Sequence, residues 1–592
     1  MKIMGTKFFG SDSSIFTLDF KKKKIYASST ERHTRLKHDW RDISYILKNR
    51  FKKKTYYNYV AQSFNGFKSK DTCFETKSFF IIILYLRKLL DIFKSSKVIV
   101  YKSNSNFLRN FLHTFAYYSS FLNKYFITKY IMNTLVKNKV IAKKILFYDH
   151  HLCHAASSYF FSDLSLNQEA HCLTLDGQGD AYFSKLFYFK NKKYQLLTGS
   201  KAITFYNKGF VHITSIGEIY SNFTEALGLI RNSDEGKTEA LAAYGKKNKK
   251  IFDDLVSSYK IEDLSIVFKI HKIKKYYEIN YLKKLIKKFG KKNIAATIQK
   301  FLEHMMIDYL NKVTKKIKIK NLCLSGGVFA NVILNLRIYE KFNFEKIYIV
   351  PAMTDDGTSS GAAFLTAIDR GLDLSWIKKY KLPYFGDTFK KTEILDAIKI
   401  NNNKIEYKFL GERWHAHVAS SVIENKVVAL FNGSMEYGPR ALGNRSIIAN
   451  AFNIKMRDIL NLKVKRRAEY QPFCPSIIDK DRTSLFQSSY NHKFMTIAFR
   501  LKKRFWKKIP SMTHIDGTSR PQFVSKKDNK DFFKILTLVK KKLGFGVVIN
   551  TSFNLHGRAM VRTPHDAIQD FLDCNIDCLY MGKFLITKNK SV

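Results

Sequence analysis

Two histidines four residues apart stand just after an acidic residue in the segment Ile145 to Asp180. The apolar residues before Asp149 lead into a residue type that favours a helix N-cap, so we expect a helix that carries His150 and His154. A spacing of four places both imidazoles on one helical face. With a carboxylate and open positions, two such nitrogens make a transition-metal site, although an isolated pair is more often just polar residues at a helix start.

The elements that must position this pair recur once along the chain. Residues 1–28 predict a strand, a tight turn at Gly10 to Ser14 and a second strand, and the residues around Leu173 repeat that order in CLTLDGQGD and a returning hairpin. This repeat predicts two related halves that face one another, each offering a turn to a shared cleft. The connection between them, Arg41 to Lys144, is predicted to be helical and basic.

Two later turns also have the composition of ligand contacts. The segment Asn321 to Ile338 predicts a strand, a turn and a helix, and Gly326 and Gly327 let the backbone of that turn approach a ligand. The helix N-terminus that follows favours an anion. A further strand ends shortly before Asp355, where a glycine-punctuated helix begins. The GG turn therefore predicts a contact to an anion, and the turns of the two earlier hairpins predict contacts to phosphate oxygens.

The composition bounds the class of protein. A chain of 592 residues exceeds one hydrophobic core, and 45% hydrophobic with 15% aromatic residues favours a globular protein of two or three domains. The net charge of +54 is compatible with nucleic acid or an anionic membrane as a partner. Because the lysines are scattered along the whole length, we interpret the charge as compositional drift and do not expect nucleic-acid binding.

Cysteine usage and hydropathy indicate the compartment. The seven cysteines lack the spacing of a zinc finger and suit a reduced cytoplasm, with Cys574 and Cys578 as structural thiols. No signal-peptide core follows Met1, and the apolar run Phe79 to Leu86 meets Arg87 too soon to span a bilayer. We expect a cytoplasmic protein without a membrane span; an oligomer is compatible with the sequence.

A second part of the chain is predicted to begin within Gly371 to Lys391, where Pro383 and two glycines interrupt the pattern. We divide the chain into residues 1–375 and residues 376–592, the latter an independent α/β unit. Several of its cations lie in segments punctuated by Gly, Pro and Asn: Arg440, Arg445, Lys465, Arg467 and Arg520. Such cations suit the clamping of a phosphate, and a solvated basic surface is the equal alternative.

Nine motifs follow one another along the chain: DHHLCHAASSYFF, LTLDGQGD, DEGKTEALAAYG, LCLSGGVFAN, PAMTDDGTSSGAA, MEYGPRALGNRSI, KVKRRAEYQPFCPS, HIDGTSRPQFV and INTSFNLHGRAMVRTPHDA. In content and order this set resembles the ATP-dependent O-carbamoyltransferases, which include nodulation proteins and the enzymes that tailor cephamycin and tobramycin. The resemblance covers nearly the full length, and GPRALGNRS together with NTSFN is highly specific.

The resemblance implies an α/β fold (α+β overall) in two parts. Residues 1–375 would form a duplicated domain like the actin-like ATPases and sugar kinases, similar to the threonylcarbamoyl-transferase subunit, and residues 376–592 a YrdC-like domain. The YrdC-like domain would make carbamoyl-adenylate and pyrophosphate from carbamoyl phosphate and ATP with Mg²⁺. The other domain would transfer the carbamoyl group to a hydroxyl of a sugar or small-molecule acceptor beside iron(II).

By motif, the resemblance assigns His150, His154 and Asp355 as metal ligands and Asp176 as an acidic residue near the metal. These four are the expected catalytic residues, and open metal positions would polarise and orient the carbamoyl oxygen. The expected contacts to nucleotide and carbamoyl phosphate are Gly326, Gly327, Asn331, Arg440, Lys465, Arg467, Arg520, Asn550 and Ser552.

The chain departs from the family pattern at several positions: Ser11 stands for His, Glu239-Ala240 for Met-Gly, Ala468 for Glu, Gln471 for Arg, and Arg558-Ala559 for Glu-Pro. The loss of a cation at Gln471 puts unchanged carbamoyl phosphate binding in doubt, and Lys463 or Arg466 are candidates to compensate. Two alternatives therefore stay open, a tRNA threonylcarbamoyltransferase-like enzyme and a degenerate non-catalytic paralogue. The acceptor itself is not encoded in the motifs.

Overall fold

The computed structural model describes residues 1–10, 12–65, 123–208, 210–555 and 557–589. The predictions made for Ser11 and for the apolar run Phe79 to Leu86 fall outside these described residues. Within them, three large sheets carry the fold, and helices pack against each of the three.

The first sheet has five strands: β1 (Lys2–Lys7), β2 (Ser14–Asp19), β3 (Lys24–Ser29), β4 (Thr55–Gln62) and β5 (Val140–Phe147). Their order is β3-β2-β1-β4-β5, with β1, β2 and β3 antiparallel and with β4 and β5 parallel to β1. The prediction that Arg41 to Lys144 is helical is wrong for β4 and β5. Strand β4 is rich in tyrosine and ends in valine and alanine, a strand composition that the lysines around it obscured. The helices Thr30–Thr34, Ser44–Arg50 and Asn123–Lys137 flank this sheet in sequence.

The second sheet repeats the first. It contains β6 (Ala170–Gly179), β7 (Tyr182–Lys190), β8 (Lys193–Lys201), β13 (Asn321–Ser325) and β14 (Lys346–Ile349). Between β8 and β13 the chain forms two separate short hairpins, β9 (Thr204–Asn207) with β10 (Phe210–Ile213) and β11 (Tyr259–Glu262) with β12 (Ser265–Phe268). The order is β8-β7-β6-β13-β14, with the same strand directions as in the first sheet. The predicted duplication is thereby confirmed.

Two helices lie back to back between these sheets. The helix Thr358–Asp369 packs on β1, β2 and β4, and the helix His150–Phe161 packs on β6, β7 and β13. The contacts are close enough to require glycine: an added Cβ at Gly361 would lie 1.8 Å from the carbonyl oxygen of Cys153, and one at Gly5 would lie 1.8 Å from that of Ser359. This packing fixes the first turn of the histidine helix relative to both halves.

The second half also carries a helical layer: Ile216–Ala226, Glu235–Ala242, Lys249–Ser257, Ile270–Ile273, Ile279–Phe289, Lys291–Lys316 and Val332–Lys341. The long helix Lys291–Lys316 is the centre of this layer, because its apolar face is buried and its neighbours pack around it. The predicted strand, turn and helix at Asn321 to Ile338 are confirmed.

The third sheet is mixed: β15 (Ile405–Phe409), β16 (Val428–Phe431), β17 (Arg445–Asn450), β18 (Cys474–Ile478), then the small pair β19 (Phe499–Arg500) and β20 (Thr518–Ser519), and β21 (Gln522–Val524), β22 (Val547–Ser552), β23 (Cys578–Met581) and β24 (Phe584–Lys588). Without the small pair, the order is β15-β24-β23-β16-β17-β22-β18-β21. The helices are Lys391–Ile400, Trp414–Ile423, Met456–Asp458, Arg482–Leu485, Lys530–Leu543 and Pro564–Asp573, with a π-helical segment Ile459–Val464. The whole is mixed α/β, as predicted, while the boundary at residue 375 stays a prediction.

The thiols and the helices agree with the expectations from composition. The six described cysteines are free and buried, and burial raises the pKa of the thiols of Cys574 and Cys578 to about 11. Both are therefore neutral packing groups. Among the described helices, none combines the length and the apolar character that crossing a bilayer requires.

The close helix contact at Gly361 predicts opposite effects for two glycine substitutions. Gly361→Ala forces the two central helices apart, so we expect the free energy of unfolding to fall by about 1–3 kcal/mol. Gly236→Ala is the control, because Gly236 is exposed in the helix Glu235–Ala242 with nothing within 4 Å of an added Cβ. There we expect no loss, or a gain of up to about 1 kcal/mol. Equal losses in chemical denaturation would contradict the described packing.

Candidate metal centre and anion cavity

The histidine helix begins where the sequence predicted. The side chain of Asp149 caps it by accepting a hydrogen bond from the Leu152 amide at 2.8 Å. Lys185 holds the other carboxylate oxygen of Asp149 at 2.6 Å. Because the cap fixes the first turn, His150 and His154 both project from it toward the strand ends of the second sheet.

The structure brings the four predicted catalytic residues together. His154 Nε2 lies 3.0 Å from Asp176 Oδ2 and 3.5 Å from Asp355 Oδ1. His150 Nε2 lies 3.4 Å from Asp355 Oδ1 and 3.5 Å from Asp176 Oδ2. One donor atom of each residue falls within 4.8 Å of all the others, and both imidazoles are buried. Residues from three distant segments thus converge on one point.

Glycines make room for this convergence. A Cβ at Gly179 would lie 2.0 Å from the ring of His150, so the imidazole fits only because that position has no side chain. The amide of Gly177 donates to Asp176 Oδ1 at 2.7 Å and holds this carboxylate on the bulge of β6. The DGQG motif therefore serves the cluster through small size as well as through its Asp.

Neighbouring polar groups orient the two imidazoles. The Nδ1 atom of His154 lies 3.1 Å from Ser325 Oγ; when it donates there, Nε2 keeps the lone pair that a metal needs. The backbone amide of His150 donates to Asp180 Oδ2 at 2.8 Å, and the same oxygen accepts from the Asn65 amide at 2.9 Å. Asp180 thus fastens the histidine helix to the chain that follows β4.

The middle histidine, His151, shows what an ordinary buried histidine looks like here. Its ring nitrogens contact Thr174 Oγ1 at 2.8 Å and the Tyr182 carbonyl at 2.9 Å. Burial lowers its pKa to about 3, so it stays neutral and structural. His150 and His154 differ from His151 because their Nε2 atoms face carboxylates, whereas the ring of His151 contacts a hydroxyl and a backbone carbonyl.

The charges in the cluster stabilise one another. Burial disfavours the charged imidazole, but the charge of Asp355 and the hydrogen bonds that the carboxylates of Asp176 and Asp355 accept from the ring outweigh burial and raise the pKa of His150 to about 9. Burial likewise raises the pKa of Asp355, yet the charges of Lys7 and His150 bring it well below its usual range. Hydrogen bonds from both histidines lower the pKa of Asp176 against burial and the Asp355 charge. Both carboxylates are therefore ionised.

This donor set fits a divalent transition metal. Two imidazole nitrogens and two ionised carboxylate oxygens are a mixture that iron(II), manganese(II) and zinc(II) accept, and the oxygens need no deprotonation before binding. Lys7 donates to Asp355 Oδ2, which leaves Oδ1 to face the imidazoles. Asp176 joins the three predicted ligands as a fourth candidate, a role that the motif alone did not give it.

A second site is a cavity of about 280 Å³ beside the third sheet. Five of the predicted nucleotide contacts line it: Arg440, Arg467, Arg520, Asn550 and Ser552. The buried Nε atoms of Arg440 and Arg520 and the Oδ1 atom of Asn550 have no hydrogen-bond partner among the described residues. These polar groups can therefore form hydrogen bonds with a ligand in the cavity.

Positive charge exceeds negative charge in this cavity, because five Lys and Arg side chains but only three carboxyl groups line it. Burial, together with the charges of Arg520 and Arg440, lowers the pKa of Arg467 to about 10. None of the three guanidinium groups forms an ion pair within the described ranges. Since uncompensated buried charge is costly, a multiply charged anion is the ligand that such a cavity favours.

The opposite wall of the cavity comes from the segment before β2, from the end of β3 and the segment after it, and from the turn after β14, and sequence reasoning missed it. It consists of Asp12, Ser29, Glu31, Arg32, Lys37, His38, Thr354 and Asp356. The signal was present in ERHTRLKHD, where nearly every residue is charged or a histidine directly after a buried strand. Asp356 and Thr354 face this cavity while Asp355, between them, belongs to the metal cluster, so one short turn borders both sites.

The remaining predicted contacts lie elsewhere. Gly327 borders the metal cluster, since an added Cβ would lie 3.1 Å from Asp176 Oδ1, and Gly326 packs on the Leu175 backbone. Asn331 caps the helix Val332–Lys341 by accepting from the Leu334 amide at 2.8 Å. Lys465 is buried behind the cavity wall, where its Nζ donates to carbonyl oxygens of Ser552 and Asn554. Their roles as nucleotide contacts stay predictions.

Arg445 lies neither on the wall of the arginine cavity nor on the solvated surface, the two equal alternatives given for these cations. Its side chain is fully buried and donates to the carbonyl oxygens of Asn432 and Asp387 at 2.5 and 3.3 Å. Its guanidinium also stacks on the ring of Phe431 at 3.7 Å. Arg445 therefore stabilises the backbone around the GPRALGNRS turn. In the sequence, its glycine-rich context looked the same as that of a ligand contact.

The departures from the family pattern have structural counterparts. Gln471 is buried outside the cavity, and the suggested substitutes Lys463 and Arg466 are exposed and do not line it; Arg32 and Lys37 bring positive charge instead. Arg558 pairs with Asp570 and Asp573 at 2.7 and 2.8 Å. Glu239 accepts from the Ile333 amide at 2.8 Å and so satisfies a free helix N–H group.

Two family models match the chain. A model of the carbamoyltransferase N-terminus matches residues 2–364, and a model of the carbamoyltransferase C-terminus matches residues 419–588. The chain belongs to the carbamoyltransferase family. It is an enzyme, as the ordered motifs predicted, and the resemblance that they suggested is confirmed.

Relatives of this carbamoyltransferase come from archaea and bacteria. An uncharacterized protein of Methanocaldococcus jannaschii, MJ1058, is 43% identical over 99% of this chain and 100% of its own length. The nodulation protein NolO of Bradyrhizobium diazoefficiens is 27% identical over 74% of this chain and 79% of its own. The 3'-hydroxymethylcephem-O-carbamoyltransferase of Streptomyces clavuligerus is 28% identical over 42% of this chain and 45% of its own.

The double hydrogen bond to Asp180 predicts a loss of metal affinity without a change of ligands. Asp180→Ala frees the His150 amide and the Asn65 amide, so the histidine helix loses its anchor. We expect divalent-metal affinity, measured by calorimetric titration, to fall about 10- to 100-fold. In Asp180→Asn, which keeps one acceptor oxygen, the metal affinity should fall less. Unchanged affinity in Asp180→Ala would contradict the positioning role.

The raised pKa of His150 predicts how metal affinity depends on pH. Below a pKa of about 9, His150 carries a proton that a metal must displace, because only the neutral imidazole coordinates. The apparent affinity should therefore rise with pH up to about 9, and binding at pH 7 should release protons. Calorimetry in buffers of different ionisation enthalpy measures that release. A pH-independent affinity across this range would contradict the described electrostatics.

Proposed function

We propose that this carbamoyltransferase is an ATP-dependent O-carbamoyltransferase with two chemical sites. The observation that carries the proposal is the pair of sites itself: a buried two-histidine, two-aspartate cluster and a cavity with three arginines that lack carboxylate partners. Both are present in the described part of the chain, which argues against a degenerate, non-catalytic paralogue.

In this proposal residues 1–375 form an actin-like transfer domain and residues 376–592 a YrdC-like adenylating domain. The duplicated five-stranded sheet supports the first assignment, and the separate eight-stranded mixed sheet is consistent with the second. Because the arginine cavity takes one wall from each part, neither domain would complete the adenylation site alone.

The arginine cavity would form carbamoyl-adenylate. Water attacks the phosphorus of carbamoyl phosphate, the P–O bond to the carbamoyl group breaks, and carbamate and inorganic phosphate are left. The carbamate oxygen then attacks the α-phosphorus of ATP, the bond from that phosphorus to the bridging oxygen breaks, and pyrophosphate departs. Arg440, Arg467 and Arg520 would offset the charge that builds on the phosphoryl oxygens. Asp12 on the opposite wall is suited to hold the accompanying Mg²⁺. Asp356, whose pKa burial and the Asp12 charge raise to about 8, would lose its proton when it joins.

The histidine cluster would carry out the transfer. The acceptor hydroxyl oxygen attacks the carbamoyl carbon, AMP leaves with the bonding electrons, and the hydroxyl proton is lost, giving a carbamate ester. Iron(II) is the metal that we propose for this cluster; when bound, it would polarise the carbamoyl oxygen. His150, His154 and Asp355 hold that position, with Asp176 beside them.

The acceptor in this proposal is a small molecule or a saccharide with a free hydroxyl. The relative from Streptomyces clavuligerus bears a name that specifies a hydroxymethyl acceptor. The turn Thr354 to Asp356 supports delivery of the intermediate over a short path, because its consecutive residues border the adenylation cavity and the metal cluster.

Exchange between ATP and labelled pyrophosphate tests whether the arginine cavity, and not the histidine cluster, carries out adenylation. With carbamoyl phosphate and Mg²⁺, the wild type should catalyse exchange, and Arg520→Gln should lower the rate about 100-fold or more. His154→Ala should leave exchange within about twofold, since the histidine cluster acts only after adenylation. Arg466→Gln is the matched control, because Arg466 is exposed and outside the cavity. No exchange in the wild type, or equal losses in Arg520→Gln and His154→Ala, would contradict the proposal.

A further inference from the structure

Ten exposed lysines gather on the helical layer of the second half. We name this set the lysine face: Lys246, Lys247, Lys249, Lys250, Lys283, Lys284, Lys287, Lys288, Lys291 and Lys292. No member forms an ion pair with a carboxylate in the part of the chain that the structure describes. The face also shares no residue with the metal cluster or the arginine cavity.

The two segments of the lysine face are distant in sequence but adjacent in space. The Lys246 amide donates to Asn293 Oδ1 at 2.8 Å. A Cβ added to Gly245 would lie 2.0 Å from the Lys292 carbonyl oxygen, so the two backbones touch. Folding therefore concentrates lysines that look scattered when the sequence is read in order.

The helix Ile279–Phe289 shows why the lysines share one side. They come in pairs four residues apart, at 283–284 and 287–288, and the pattern continues at 291–292 in the next helix. A step of four residues returns to nearly the same side of a helix, so the pairs stack outward. Leu282, Leu285 and Ile286 point inward and pack against the core. The apolar side of this helix thus packs against the core, and the exposed side carries the lysine charges.

The lysines outnumber the acidic residues that border this face, which are Asp253 and Asp254 in the helix Lys249–Ser257 and Glu278 before the helix Ile279–Phe289. Residues 243–251 and 279–299 contain no Asp or Glu. All the charged positions in these two stretches are lysines, without an arginine. Nucleic-acid sites typically use arginine forks and exposed aromatic rings to grip phosphates and stack bases. Compact lysine charges on an outward face instead suit a broad anionic surface that presents many headgroups at once.

From this geometry we propose that the lysine face docks the enzyme on membranes rich in anionic phospholipids. The contact is peripheral, because the apolar side of the helix Ile279–Phe289 packs against the core. It is driven by the attraction between several ammonium groups and lipid phosphates, and salt weakens it. The proposal does not depend on the reaction assigned to the two chemical sites.

Sedimentation with lipid vesicles tests this docking on the full chain. Vesicles that contain about one third phosphatidylglycerol in phosphatidylcholine should bind the wild type, and pure phosphatidylcholine should not. The variant carrying Lys284→Gln, Lys287→Gln, Lys288→Gln and Lys291→Gln should bind at least about tenfold more weakly. The matched control carries Lys21→Gln, Lys22→Gln, Lys23→Gln and Lys24→Gln, at four exposed lysines of the β2–β3 turn. It loses the same charge and should keep its binding.

Three outcomes would overturn the proposal. One is failure of the wild type to bind the anionic vesicles, and another is an equal loss of binding in both variants, which would make the attraction a property of total charge. The third is saturable binding of a structured RNA to the lysine face at physiological salt together with no vesicle binding. Thermal unfolding and ATP–pyrophosphate exchange should match the wild type in both variants, which shows that folding is intact.

Discussion

The structure depends on bringing two buried imidazoles and two half-buried carboxylates into one cluster. Charges in such a place are tolerated only when each has a partner, and here Lys7, His150 and His154 bring the pKa of Asp355 and Asp176 down against burial. The same demand explains the close helix crossing at Gly361 and the missing side chain at Gly179. The duplicated sheets supply a rigid frame in which these atoms meet within a few ångströms.

The second constraint is that the two chemical sites share a turn. Asp355 faces the imidazoles, while Thr354 and Asp356 face the arginine cavity, so neither site can shift without the other. The strap of residues from Ser29 to His38 strengthens this coupling, because it lies on the cavity wall and Arg32 donates to the Gly438 carbonyl at 2.9 Å. In the reaction that we propose, this continuity would shorten the path of the intermediate between the two sites.

Local sequence predicted much of this, because short-range chemistry decides caps, turns and repeats. The Asp149 cap, the duplicated strand order and the GG turn after β13 all follow from residue types at fixed spacings. What failed depended on long-range contacts. The tyrosine-rich strand β4 lay among lysines, the GPRALGNRS turn gave no sign that Arg445 is enclosed, and the lysine face forms only when residues 246–250 meet residues 283–292. The motifs also do not show which residues, distant in sequence from the arginines, form the opposite wall of the cavity.

The most direct test of the account is electron spin-echo spectroscopy of the protein loaded with manganese(II) as a spin probe. If the histidine cluster is the metal centre, one ion per chain should show coupling to two imidazole nitrogens. Labelling the histidines with nitrogen-15 should change that coupling, and His154→Ala should reduce it to one nitrogen. An ion with no imidazole coupling, or coupling that survives in the double variant His150→Ala and His154→Ala, would contradict the central claim.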